Sequence, residues 1–184
     1  MDFAEKPARP AQYPGIPFMN PLLYKPHPLL LRWADLFVHP SAHSLGDFAE
    51  LAAVLLAVNG MMALGLGWGA RMAAGVRLPA LRSYGLALPS SLLYVPSVLT
   101  VLGVVSTHAF HWEERFILVF EIFIASQMLS GFYTVTIRHR GGKQPIGLAA
   151  GLAVSLLLLL ASIPVSSALL GLQALGVFPH RAFG

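Results

Sequence analysis

The chain contains no cysteine. That excludes disulfides, thiolate nucleophiles, iron–sulfur clusters and cysteine-ligated zinc. Charge is scarce as well. Only 11 % of the 184 residues are charged, whereas soluble domains carry about 25 %. The twelve Lys and Arg give a net charge of +4 but form no basic run, so nucleic acid is not an expected partner. There is no Gly-rich phosphate loop, no HExxH and no G-x-S-x-G, which removes the usual marks of nucleotide, zincin and hydrolase chemistry. The first long apolar run begins near residue 48, too late for a signal peptide's h-region. The N-terminus carries acids and prolines, unlike an Arg- and Ser-rich transit peptide. A cleavable leader is therefore not expected.

What the chain does contain is apolar surface. Hydrophobic residues make up 56 % of it. Four segments are long enough to cross a bilayer as helix, which takes roughly 20 residues. They lie at 48–70, 84–106, 114–137 and 146–172. Hydrocarbon offers no water to unpaired backbone groups, so each must be helical. Short connections make consecutive spans antiparallel neighbours. The expected fold is an all-α integral membrane protein in two parts. Residues 48–184 form a four-helix transmembrane bundle, and residues 1–47 form a Pro-rich extended arm followed by a short interfacial amphipathic helix.

Residues 1–47 hold eight of the fourteen prolines. Those at 7, 10, 14, 17, 21, 26 and 28 favour an extended, polyproline-like course. "LLLRWADLFVHP" then predicts a helix stopped by Pro40, with Arg32, Asp35 and His39 on one face and Leu30, Trp33 and Phe37 on the other. Ser44 and Asp47 have the spacing of a capping box opening the first span. A proline-rich arm has too little apolar surface to offset its own ordering entropy. A partner subunit is its expected support, with the protein's own outer surface as the alternative.

Orientation follows from the loops. One carries Arg71, Arg77 and Arg82; the other on the same side carries Arg138, Arg140 and Lys143; neither contains an acid. The opposite side carries Asp2, Glu5, Asp35, Asp47, Glu50, Glu113 and Glu114 among its charges. The positive-inside rule places both loops inside and both termini outside. Trp68, Tyr84 and Tyr133 are expected at the inner boundary and Trp112 at the outer one.

Candidate site residues cluster around "STHAFHWEERF". On a helix, His108, His111 and Glu114 would line one face and could form a facial His/His/Glu metal set. Read plainly, they are a polar hairpin tip at the interface. No histidine falls inside a span, which argues against haem held between facing helices. Glu121 is the one acid inside a span. A charge there is costly, so it is either a functional group, for a proton, quinone or cation, or a hydrogen-bonded tie between helices or subunits. Asn59 and Gln127 suit the same tying role. Small residues at Gly65-x-x-x-Gly69, Ala63-x-x-x-Gly67 and Gly147-x-x-x-Gly151-x-x-x-Ser155 mark expected helix contacts. Pro89, Pro96 and Pro164 are expected to bend their helices.

The functional expectation is a non-catalytic subunit of a larger, energy-converting membrane complex in a bacterial or mitochondrial inner membrane. Its expected partners are other membrane subunits and lipids. No cofactor is firmly implied. One alternative is a subunit that contributes a quinone, pigment or metal site around Glu121, His108 and His111. The other is a small autonomous transporter, which should show internal repeats and more intramembrane polar groups.

Overall fold

The computed structural model describes residues 28–106, 112–139 and 144–176. The Pro-rich arm at 1–27, the turn at 107–111, the loop residues 140–143 and the C-terminal tail at 177–184 lie outside the described residues. Among the described residues there are five α-helices. They are α1 (Pro28–Val38), α2 (Leu45–Ala74), α3 (Ala80–Ser106), α4 (Trp112–Thr136) and α5 (Leu148–Ala174). A short 3₁₀ turn, Pro40–Ala42, links α1 to α2. Helices α2 to α5 are long and apolar enough to cross a membrane. They match the four expected spans to within a few residues at each end.

Local chemistry sets the boundaries. Ser44 and Asp47 form the expected capping box. The Asp47 amide donates to Ser44 Oγ at 3.3 Å, and the Ser44 amide donates to Asp47 Oδ2 at 2.9 Å. Two orphan donors at the start of α2 are thereby satisfied. Gly75 ends α2 in the left-handed region at φ 65°, where a side chain would be strained. Arg82 donates to the Thr136 carbonyl at 2.9 Å. That places a cation on the negative end of the α4 dipole. After α4, Ile137 and Ile146 are buried and joined by a backbone bond of 3.1 Å, which pins the α4–α5 turn to the bundle.

Helix α5 packs against α2, α3 and α4, and α3 packs against α2, α4 and α5. The two therefore share the short diagonal of the bundle, flanked by α2 and α4. Glycine permits the closest approaches. A Cβ on Gly65 would lie 3.1 Å from Ala161 Cβ, and one on Gly69 would lie 3.5 Å from Leu157 Cβ, so α2 runs antiparallel along α5. A Cβ on Gly151 would collide with Thr134 Oγ1 and would sit 2.7 Å from the Ser130 carbonyl oxygen. Only glycine lets α5 reach α4 there.

The distribution of polarity is that of a protein in lipid. The outside carries Leu56, Leu64, Trp68, Phe116, Phe120, Met128 and many other exposed large apolar side chains. The inside holds Met62, Leu66, Leu99, Leu129 and Leu158 together with Asn59, Thr100 and nine serines. Such a surface in water would be a large apolar patch. Four spans of this kind fit an integral membrane protein.

One expectation is corrected. Helix α1 forms as expected and its buried face includes Leu30 and Trp33, but the third member is Leu36 and not Phe37, which is 71 % exposed. The bond from His43, beyond the 3₁₀ turn, to Asp35 ties α1 to the start of α2 with Leu36 on the buried side. Tyr133, three residues from the end of α4, is fully buried within the bundle. Its hydroxyl donates to the Leu86 carbonyl at 3.3 Å, in the turn before Pro89.

Candidate functional site

Three polar constellations stand out from the apolar frame. The first closes the bundle. Tyr94 of α3 is fully buried, and its hydroxyl meets Ser126 Oγ of α4 at 3.1 Å and Ser155 Oγ of α5 in a shorter contact. Ser155 donates onward to the Ser126 carbonyl at 3.0 Å, and Ser126 donates to the Ile122 carbonyl at 2.8 Å. Three hydroxyl protons serve these four contacts. Nearby, Ser166 of α5 donates to the Val95 carbonyl at 3.3 Å. On the other flank Asn59 of α2 donates to the Tyr84 carbonyl at 3.0 Å and accepts from Ser91 Oγ at 2.8 Å. Tyr84 returns a bond to the Leu56 carbonyl at 3.1 Å. Asn59 thus ties α2 to α3, as its place in a span suggested. Ser130 Oγ is the buried side-chain atom with no hydrogen-bond partner among the described residues.

The second constellation contains Glu121. It sits on α4 and accepts from Ser97 Oγ of α3 at 3.2 Å, while the same hydroxyl donates to the Leu93 carbonyl at 2.8 Å. Ser97 is buried, but Glu121 is exposed on the outer surface of the helix pair. One carboxyl oxygen is therefore tied into the bundle while the group as a whole faces outward. Of its proposed companions, Glu114 falls in the first turn of α4, with its side chain outside the described residues, and His108 and His111 lie outside them entirely. Among the described residues, no three histidine, aspartate or glutamate side chains are placed to hold a metal ion.

The third constellation joins α1 to the start of α2. His39 Nδ1 and His43 Nε2 each lie 2.9 Å from one oxygen of Asp35. A carboxylate only accepts, so both rings donate. The hydrogen bond from His39, and then that from His43, hold the Asp35 carboxyl below its usual range. Asp35 and His39 were legible as one helix face. His43 was not, because it lies beyond Pro40, on the far side of the 3₁₀ turn. The Tyr94 knot also escaped sequence reading. The signal available was Ser126 and Ser155 at small-residue positions and a tyrosine in mid-span, with nothing to pair them.

No protein-family model matches the chain, and neither a curated protein nor a solved structure is similar to it.

The Asp35 clamp carries a pH signature. Its folded pKa is depressed, so its contribution is fully present above an unfolded value near 4 and is lost as pH falls through the lower folded value. Hydrogen exchange of the α1 amides should stay slow down to about pH 4 and quicken below it. In Asp35→Asn the amides should already exchange faster at pH 6, with no further acid step. An acid step that survives in Asp35→Asn would assign the effect to another group.

Proposed function

We propose that this chain is a non-catalytic integral-membrane subunit of a larger, energy-converting complex of a bacterial or mitochondrial inner membrane, working through assembly and stabilisation. The observation that supports it is the position of Glu121. An acid exposed on the apolar outside of a membrane helix faces hydrocarbon if the bundle stands alone, and that is costly. Against a neighbouring subunit the same carboxyl gains a second partner. The interior supports the reading too. Its hydroxyls donate mostly to carbonyls and to each other across helix contacts, as in the Tyr94 knot, and this is packing work. The Pro-rich arm at 1–27 reads as a further partner-binding segment, and α1 as a helix lying in the outer interface among lipid headgroups.

Extraction in a mild detergent followed by native mass spectrometry tests this. Chains of other sequence should travel with the 19.8 kDa protein. Its recovery with no other chain would overturn the reading. A second reading takes its support from the same outward carboxyl, which is open to a quinone, pigment or cation beside Ser97. The two differ under substitution. In a structural role Glu121→Gln is nearly silent, and Glu121→Leu weakens association by roughly 1 kcal/mol. In a ligand or proton role Glu121→Gln abolishes turnover of the complex while assembly stays normal.

The proposed orientation has both termini on the periplasmic or intermembrane-space side. Its support is the six basic residues, with no acid, in the two inner loops. A cysteine introduced by Arg77→Cys should resist an impermeant thiol reagent added from outside and react once the membrane is opened. Labelling from outside in sealed membranes would reverse the orientation.

A further inference from the structure

The outward face of α4 carries a second polar group, deeper than Glu121. Gln127 stands midway along the apolar stretch Phe116–Thr136. It is exposed, and its amide has no hydrogen-bond partner among the described residues. A primary amide offers two donors and an acceptor. At the centre of a bilayer neither water nor lipid tails can meet them.

The surroundings of Gln127 form an ordered seam. Ile117, Phe120, Ile124, Gln127 and Gly131 are all exposed and follow one another at spacings of three, four, three and four. That is the a/d repeat of two helices wound left-handed about each other. A single polar residue in such a seam sets register and partner number. Gly131 falls one step beyond the amide, and a Cβ there would meet nothing within 4 Å. The glycine leaves the outer face of α4 recessed where a second backbone must come close.

We propose that this seam pairs with the seam of a second copy of the chain, in a parallel α4–α4 dimer joined by Gln127–Gln127 hydrogen bonds. The choice of a second copy rests on self-complementarity. Copies inserted with the same topology are related by a two-fold axis along the membrane normal, which brings each residue opposite its own twin at the same depth. A carboxylate or an ammonium placed there would be repelled by its twin. An amide donates to its twin and accepts from it. The inference deepens the subunit reading by naming one partner. It is read on this chain alone, so its failure and the absence of other subunits are separate results.

The natural chain has no cysteine, so each introduced thiol is a unique reporter. Full-length Phe120→Cys, Ile124→Cys and Gly131→Cys proteins, oxidised in membranes with copper phenanthroline, should form a disulfide-linked species of twice the chain mass. Val119→Cys, exposed but off the seam, should not. Adding Gln127→Leu to Ile124→Cys should lower the dimer yield about threefold to tenfold, and Gln127→Asn should restore most of it. Gln127 makes no bond within the described bundle, so these changes leave the monomer fold in place. The proposal is overturned if no seam cysteine gives a dimer, or if Val119→Cys links as well as they do. It is equally overturned if Ile124→Cys links only to a different protein, or if Gln127→Leu leaves the yield unchanged.

Discussion

A hydroxyl in hydrocarbon has no water to turn to, and the bundle is organised around that constraint. Tyr94 reaches from α3 to Ser126 of α4 and Ser155 of α5, so one phenol joins three helices. The contact requires α5 to lie close to α4, and that closeness depends on Gly151, where any side chain would meet Thr134 and the Ser130 carbonyl. Asn59 does for α2 and α3 what Tyr94 does for the rest. Apolar packing alone does not choose a partner in lipid, because lipid tails are as apolar as leucine. Hydrogen bonds at fixed depths set the register of these helices, and close packing of small residues fills the space between them.

The same constraint gives meaning to the polar groups that face out. Ser and Tyr side chains turned inward are nearly all partnered, whereas Glu121 is half-partnered through Ser97 and Gln127 has no partner among the described residues. Both belong to α4, where Gln127 lies in the exposed seam and Glu121 lies beside it, against α3. An isolated bundle would leave them in hydrocarbon. The proposed assembly role and the proposed self-pairing answer the same physical deficit at two depths, and both proposals rest on α4.

Much of the architecture was legible because its causes are local. Hydropathy marked the four spans, Ser44 and Asp47 marked the start of α2, and Asn59 announced itself as an amide in a span. Gly65, Gly69 and Gly151 were readable as contacts because small-residue spacing is a property of one helix. What was hidden depends on which helices face each other. Nothing in the sequence says that Tyr94 meets Ser155, that Tyr133 is in the core, or that Leu36 displaces Phe37 from the buried side of α1. Those follow from the roll of each helix, which tertiary bonds fix. The expected His108, His111 and Glu114 set remains an expectation of the sequence, since the two histidines and the Glu114 side chain lie outside the described residues.

The central claim is that side-chain hydrogen bonding across α3, α4 and α5 sets the register of the bundle. A double-mutant cycle on Tyr94→Phe and Ser155→Ala, read as unfolding free energy in bicelles by steric trapping, tests it most directly. The account predicts that each single change costs about 0.5–1.5 kcal/mol and that the pair costs less than their sum by about 0.5 kcal/mol or more. Two losses that simply add would contradict it, because they would mean that the tyrosine and the serine stabilise the bundle without acting on each other.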